Sequence, residues 1–164
     1  MARVRIREFV PHDWPQVWPI VQEIVSAQET FAYEPSMTAA QAYEAWVEVP
    51  PALTVVAVDD ERIVGTAKMG RNRPGPGSHI STASFMVAAD AHGRGVGDAL
   101  CRFALGWAQD RGFAGMQFNA VAASNHRAVA LYERHGFRIV GTVPGAFAHP
   151  TLGRVDLHIM YKEL

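Results

Sequence analysis

The feature that most constrains the fold of this chain is a glycine-rich segment that follows a strand-like run and opens a helix. Glycine occupies positions 93, 95 and 97, shortly after the β-rich residues 82–87 and before apolar residues at helical spacing. Because glycine lacks a side chain, several main-chain N–H groups can converge at the helix N-terminus, where the helix dipole favours an anion. The segment therefore predicts an α/β fold with a phosphate-binding loop. A plain turn without a ligand is the weaker alternative, because three glycines in five residues cost backbone entropy that a turn does not require.

The composition favours one globular domain without metals or disulfides. The chain has 164 residues, of which 49% are hydrophobic, so we expect one domain over residues 1–164. The formal net charge of -1 and the lack of a basic run argue against nucleic-acid binding. The start alternates basic and apolar residues, unlike a signal peptide, and no run of about 18 apolar residues could span a membrane. The single Cys101 fits a reducing cytoplasm, and His126, His135 and His158 lack metal-ligand spacing.

Hydrophobic spacing and turn residues divide the chain into seven strands and four helices. Strands are predicted over residues 3–9, 53–58, 62–69, 79–87, 116–121, 137–143 and 156–161. Helices are predicted over residues 11–26, over a short segment capped by Thr38, from the glycine segment to about residue 110, and over residues 125–135. Residues 143–150 are predicted to form a loop before the last strand. The order of the elements indicates an α/β sheet with helices on both faces.

Two common phosphate-binding patterns do not fit the glycine segment. A Walker loop needs Gly-Lys followed by Ser or Thr, whereas Gly95 and Gly97 are followed by Val and Asp. A dinucleotide fingerprint needs Gly-x-Gly-x-x-Gly, but Asp98 or Leu100 occupies the last position, depending on where the count begins. Nucleoside triphosphate hydrolysis and binding of NAD or FAD are therefore disfavoured.

A second segment, about 30 residues later, makes the interpretation more specific. It follows the pattern Asn-x-x-Ala/Ser-x-x-Leu-Tyr-x-x-x-Gly-Phe, matched by Asn125, Ala128, Leu131, Tyr132, Gly136 and Phe137. Together with the loop pattern Arg/Gln-x-x-Gly-x-Gly/Ala, matched by His92, Gly95 and Gly97, this segment resembles the GNAT (Gcn5-related) N-acetyltransferases. The resemblance implies an α/β fold with a mixed, centrally splayed sheet of six to seven strands and helices on both faces.

The resemblance also implies acetyl-CoA as the co-substrate, bound where two parallel strands splay apart, and no metal. The pantetheine arm would contact main-chain groups of the strand before the loop, namely Phe85, Met86 and Val87. The pyrophosphate would be bound by main-chain N–H groups of the loop, namely those of His92, Gly93, Arg94, Gly95, Val96, Gly97 and Asp98. The Arg94 guanidinium could add a charge-assisted hydrogen bond or remain a solvated loop cation. Asn125 would cap the following helix and hydrogen-bond the cofactor arm.

The reaction implied by the resemblance is direct attack of a neutral amine on the thioester, without an acyl-enzyme. Tyr132 matches the family's usual proton donor to the leaving thiolate, although a core tyrosine would occupy the same position. The base is less clear, because residues 81–87 lack the Glu that many relatives carry there. Glu34 and His79 are the candidate bases, and deprotonation through water is the alternative. Cys101 is not expected to be a nucleophile, because it lies in a helix without a neighbouring His/Asn signature.

Two local resemblances concern the acceptor. Residues 31–35 resemble the acceptor-side loop of phosphinothricin-type acetyltransferases, which implies substrate contacts from Phe31 and Glu34 and a compact amino-acid-like amine. Residues 118–125 resemble a stretch of fungal proline-analogue acetyltransferases in which a strand Asn holds the substrate, and Asn119 takes that place. A structural hydrogen bond would explain Asn119 equally well.

Two further positions complete the predicted acceptor site. Thr82 stands where the fungal enzymes carry a second Asn, and it offers one hydroxyl in place of an amide. Phe147, in the predicted loop 143–150, could close over the acceptor as a lid, or this loop could contact a second subunit.

The sequence thus predicts a cytoplasmic N-acetyltransferase that moves acetyl from acetyl-CoA to a small amine, such as an amino acid, a proline analogue or an amine toxin. N-acetylation of a protein or peptide is the alternative activity. A regulatory module that binds acyl-CoA without catalysis is a third hypothesis, motivated by the missing strand Glu. We expect a homodimer and no nucleic-acid or membrane partner.

Overall fold

The computed structural model describes residues 3–164; Met1 and Ala2, which begin the alternating N-terminal segment, lie outside these residues. The sheet has seven strands in the order β1-β2-β3-β4-β5-β7-β6. The strands are β1 Arg5–Glu8, β2 Leu53–Asp59, β3 Arg62–Arg71, β4 Ile80–Val87, β5 Gly115–Ala122, β6 Arg138–His149 and β7 Gly153–Glu163. The helices are α1 Trp14–Ala27, α2 Ala39–Trp46, α3 Val96–Asp110 and α4 His126–Arg134. No helix among these residues is long and apolar enough to cross a membrane.

The centre of the sheet is splayed, as the resemblance implied. β4 and β5 are parallel neighbours, but they pair only at Ile80 with Gly115 and at Ser81 with Met116. All other strand pairs in the described chain are antiparallel. Beyond Ser81 the two parallel strands lose their main-chain contact, and the register of β5 against β7 shifts between residues 118 and 121. The predicted mixed, splayed α/β sheet is therefore confirmed.

Helices cover both faces of the sheet, and two consecutive residues of β3 show this directly. The Thr66 hydroxyl accepts a hydrogen bond from Trp46 Nε1 of α2, at 3.0 Å. Gly65, on the opposite face, lies so close to α3 that a Cβ atom there would be 2.8 Å from Val96 and 3.2 Å from Leu100. Because side chains alternate along a strand, α2 and α3 pack on opposite faces, and the core lies in two layers.

One predicted segment is wrong. Residues 143–150 were expected to form a loop, but β6 continues through them to His149 and pairs with β7. The register shifts between Val143 and Phe147, and Pro144 and Gly145 lie within this irregularity. A bulge accommodates a proline and a glycine inside a strand, so these two residues misled the sequence analysis. Phe147, expected in that loop either as a lid or at a contact with a second subunit, is a buried strand residue opposite Val155.

Candidate active site

A cleft of about 770 Å³ opens where β4 and β5 diverge, and its volume is in the range of small-molecule sites. Its walls come from five parts of the chain that are distant in sequence. These are the C-terminal part of α1 with the connection that follows it, β4, the loop before α3, β5 and α4. The cleft thus lies at the only parallel pairing of the described sheet.

One end of the cleft is formed by the glycine loop. Gly93 and Gly95 have φ values of +79° and +80°, which only glycine adopts readily, and a Cβ at either would meet nothing within 4 Å. α3 starts at Val96, and the first N–H groups of a helix have no partner within the helix. The loop therefore presents bare main-chain donors and the positive end of the α3 dipole to the cleft.

Nearly all residues predicted to bind the cofactor line this cleft. They are Phe85, Met86, Val87, His92, Gly93, Gly95, Val96, Gly97, Asp98 and Asn125. Arg94 does not line it. The cations that do are Arg127 and Arg134 of α4. Neither arginine was predicted, although their seven-residue spacing places them on one face of a helix.

Charges beside the glycine loop are partly neutralised by the protein itself. Asp98 Oδ1 lies 2.8 Å from His135 Nε2, and Asp98 Oδ2 accepts a hydrogen bond from Arg102 at 2.9 Å. Partial burial opposes ionisation of Asp98, but these two partners outweigh it and lower its pKa. Burial and the nearby Arg127 lower the pKa of His92. The Asp98 carboxylate is thus paired with two side chains of the protein.

Tyr132 stands between the cleft and an aromatic cluster. Its ring centroid is 4.4 Å from that of Phe118 and 6.0 Å from those of Phe85 and Phe137. Burial, with a smaller effect from Cys101, raises the pKa of the Tyr132 phenol. The phenol therefore carries its proton at neutral pH, as a proton donor must. Asn125 caps α4 beneath it, because its Oδ1 accepts a hydrogen bond from the N–H of Ala128 at 3.2 Å.

The other side of the cleft carries polar and aromatic side chains. Thr82 of β4 and Asn119 of β5 line it, and the connection after α1 adds Phe31 and Tyr33. The rings of Phe31 and Tyr33 stack with centroids 5.8 Å apart, and Phe31 also packs edge-on against Trp46 at 6.1 Å. These contacts hold the connection after α1 against the acceptor side of the cleft, and we call Phe31 and Tyr33 the roof of the cleft.

Neither predicted base lies among the residues that line the cleft. Glu34 is exposed at a turn, where its main-chain oxygen accepts a hydrogen bond from Met37. His79 is exposed just before β4 and is three residues from Thr82, which corresponds to about 10 Å along a strand. Phe147 is also outside this set, whereas Glu29, which the sequence analysis did not consider, belongs to it. Within residues 3–164 no three His, Cys, Asp or Glu side chains cluster as metal ligands would.

Comparison with protein families identifies a match over most of the chain. Residues 18–137 match the model of the acetyltransferase (GNAT) family. N-acetyltransferase aca1 from Schizosaccharomyces pombe is 30% identical over 114 residues, which are 69% of this chain and 52% of that protein. The chain therefore spans about half the length of this curated relative.

Solved structures share the whole fold. The structure of a GCN5-related N-acetyltransferase from Kribbella flavida is 50% identical, with a TM-score of 0.96 and 98% of each chain covered. A ribosomal-protein-alanine N-acetyltransferase from Brucella melitensis is 25% identical, with a TM-score of 0.81 over 98% of this chain and 99% of that one. A structure described as a phosphinothricin N-acetyltransferase shares the fold at 23% identity, with a TM-score of 0.86 and 99% of each chain covered.

Proposed function

The chain belongs to the GNAT family of acetyltransferases, and from this premise we propose that it transfers acetyl from acetyl-CoA to the amine of a small molecule. The observation that carries the proposal is the cleft between the splayed strands β4 and β5. It combines a main-chain anion site at one end with a protonated phenol, that of Tyr132, in its wall. The family uses acetyl-CoA as its acyl donor, and both features suit that molecule.

The donor half of the cleft fits a pyrophosphate followed by an amide-rich arm. Main-chain N–H groups of the glycine loop would bind the pyrophosphate. Unpaired main-chain groups of Phe85 and Val87, on the splayed part of β4, would pair with the pantetheine amides. Arg127 and Arg134 line the same cleft and would offset phosphate charge, the role that the sequence analysis assigned to Arg94.

The chemistry requires one new bond and two proton movements. The neutral amine nitrogen attacks the thioester carbonyl, a C–N bond forms, and the C–S bond breaks as the thiolate leaves. The phenol of Tyr132 gives its proton to the sulfur and regains one from solvent. The ammonium of the acceptor loses its proton before attack, and the nitrogen loses a second proton after it. Neither Glu34 nor His79 lines the cleft, whereas Glu29 does, and we propose that water carries these protons away from the nitrogen.

The roof over the acceptor half supports a small acceptor. Phe31 and Tyr33 close this half from one side, so a folded protein surface would have to displace their stacked rings. An amino acid, a proline analogue and an amine toxin are the candidate acceptors. The second candidate is a peptide N-terminus, which the likeness to the Brucella ribosomal-protein-alanine enzyme favours.

The direct test measures acetyl-CoA-dependent thiol release with a panel of amino acids, cyclic secondary amines, amine antibiotics and short peptides. We expect turnover with at least one small amine and a mass increase of that amine by one acetyl group. Acetylation of peptides alone would favour the second candidate. Binding of acetyl-CoA without turnover of any amine would favour the regulatory module.

A matched pair of arginine variants tests the donor half independently of the acceptor. We expect Arg127→Ala to weaken acetyl-CoA binding in calorimetry, because Arg127 lines the cleft. Arg94→Ala removes the same charge from an exposed residue outside that lining and should leave the affinity within about twofold. Equal loss in both variants would mean that only the overall charge matters.

We also propose that the chain is one domain that acts in the cytoplasm as a homodimer. The exposed side chains of Ile139, Val140 and Val143 on the edge strand β6 support the dimer, with 43%, 51% and 49% of their surfaces accessible. Light scattering after size exclusion would measure the mass. A monomer at micromolar concentration would contradict this part of the proposal.

A further inference from the structure

Three amide side chains form a hydrogen-bonded chain at the acceptor side of the cleft. Gln117 Nε2 donates to Asn119 Oδ1 at 2.9 Å, and Asn119 Nδ2 donates to Asn72 Oδ1 at 2.7 Å. Asn72 directly follows β3, and Asn119 lies on β5. Because β4 lies between these two strands in the sheet, the second bond joins strands that are not neighbours.

The hydrogen bond between Asn119 and Asn72 crosses the sheet near the place where pairing between β4 and β5 ends. Main-chain pairing between β4 and β5 ends at Ser81 and Met116, and Asn119 lies in the part of β5 where the register shifts. Phe118 packs against Tyr132, so its neighbour Gln117 faces the opposite side of the sheet, which α1 and α2 cover. The hydrogen bond from Gln117 to Asn119 places the Asn119 side chain on that same face. The bond between Asn72 and Asn119 therefore bridges the splayed gap on the acceptor face.

The two hydrogen bonds orient the Asn119 amide but do not use all of its hydrogen-bonding groups. A primary amide has two N–H donors and two oxygen lone pairs. Asn72 takes one donor and Gln117 takes one lone pair, so one of each remains. If all three side-chain amides were flipped, both hydrogen bonds would reverse direction, and Asn119 would still keep one free N–H donor and one free oxygen lone pair. Asn119 is exposed and lines the cleft, so this capacity is available to a bound molecule.

We propose that Asn72 is a positioning residue for acceptor selection. It holds the Asn119 amide in an orientation from which Asn119 hydrogen-bonds a polar group on the carbon next to the amine nitrogen of the acceptor. Amines with a carboxylate or carboxamide at that carbon are then preferred over plain alkyl amines. This role rests on the proposed acetyl transfer to an amine.

The test compares acceptors that differ only in the polar group. L-proline is paired with pyrrolidine, and L-alaninamide with ethylamine, in the full chain with saturating acetyl-CoA. We expect the wild type to prefer the polar member of at least one pair, and we expect Asn72→Ala to lower kcat/KM for that member about 3- to 10-fold, the range of one hydrogen bond. The value for its unsubstituted partner should change by less than twofold.

Two further variants control the interpretation. Asn72→Asp keeps an oxygen that can accept from Asn119 Nδ2, so it should restore the ratio for L-alaninamide over ethylamine to within about threefold of the wild type. Arg73→Ala is the matched control, because the Arg73 guanidinium bonds only the main-chain oxygen of Asn72 among the described residues. It should leave both ratios unchanged.

Each result either supports or overturns this role. An equal fall for the polar and the unsubstituted amine in Asn72→Ala would show a merely structural contribution and would overturn it. A wild type that prefers pyrrolidine and ethylamine would overturn it while leaving the proposed acetyl transfer intact. A wild type that binds acetyl-CoA but acetylates no amine would remove the proposed function, and the role of Asn72 with it.

Discussion

Replacement of Tyr132 with Phe should separate proton donation from binding and from stability. The ring contacts with Phe118, Phe85 and Phe137 do not involve the hydroxyl, so Phe retains them. The hydroxyl has no hydrogen-bond partner among residues 3–164, and its removal therefore leaves no protein group unpaired. We expect the free energy of unfolding in urea at pH 7 to change by less than about 0.5 kcal/mol.

The effect on the rate should be much larger than the effect on stability. A positioned proton donor contributes about 10²- to 10⁴-fold, which corresponds to about 2.7–5.5 kcal/mol in the activation barrier. For Tyr132→Phe we therefore expect kcat with an accepted amine to fall at least about 100-fold. The Kd for acetyl-CoA, measured by calorimetry, should stay within about twofold, because the main-chain sites of the glycine loop are untouched.

The pKa of Tyr132 adds a signature in alkaline solution. Burial raises this pKa above its ordinary value of 10.0. The folded chain then keeps a proton that the unfolded chain releases, so this contribution to stability is present below pH 10 and is lost as the pH rises towards the folded pKa. Tyr132→Phe has no phenol to titrate, so it lacks this alkaline loss of stability. At pH values above 10, the variant should therefore become more stable relative to the wild type. The wild-type kcat should show no alkaline decline from Tyr132 below pH 10.

Two outcomes would refute this reasoning. A kcat within threefold of the wild type would mean that water protonates the thiolate. A weaker Kd for acetyl-CoA that accounts for the whole loss of kcat/KM would assign Tyr132 to binding. Tyr43→Phe is the matched control, because Tyr43 packs against Phe9 and Trp14 and is outside the cleft lining. It should leave kcat unchanged.

Two further changes test the loop and the fold. Gly95→Ala places a side chain at a φ of +80° and should lower the free energy of unfolding by about 1–2 kcal/mol. Gly97→Ala places one at a helical position, where it would meet Leu131 at 3.2 Å and Val87 at 3.9 Å, and should change the free energy of unfolding by less than about 1 kcal/mol. Urea denaturation of both variants checks this contrast, and equal losses would contradict it. Asp13→Asn weakens the pairing of a buried carboxylate with the partly exposed Arg7, whose two N···O distances are both 2.8 Å, and should cost about 1–3 kcal/mol at pH 7. The hydrogen bonds from Arg7 lower the pKa of Asp13 below 3.8, so the advantage of the wild type should be lost as the pH falls through that lower pKa; an advantage that is the same at pH 7 and pH 2 would contradict the assignment.

Local patterns predicted most elements because their causes are local. β4 was predicted over residues 79–87 and is observed over Ile80–Val87, and α3 ends at Asp110 as expected. The capping box of Thr38 and Gln41 starts α2 where the sequence indicated. The first half of β6 was predicted, but its continuation through residues 144–149 was not, because the bulge that accommodates Pro144 and Gly145 exists only through pairing with β7.

The candidate site likewise has one part that local sequence predicts and another that depends on tertiary packing. The glycine loop could be located from sequence alone, because its donors are main-chain groups of consecutive residues and need only local φ angles and the start of a helix. The side chains that face the cleft could not. Arg127 lines it and Arg94 does not, Glu29 lines it and Glu34 does not, and Asn72 reaches Asn119 across β4.

Local sequence patterns were enough to place the order of the elements, the glycine loop at the start of α3, and Tyr132 about two turns after the cap of α4. Which side chains line the cleft followed only from the packed structure. This lining depends on how far β4 and β5 diverge and on where the connection after α1 folds over them. Both are set by packing between residues that are far apart in the chain, which no local pattern records.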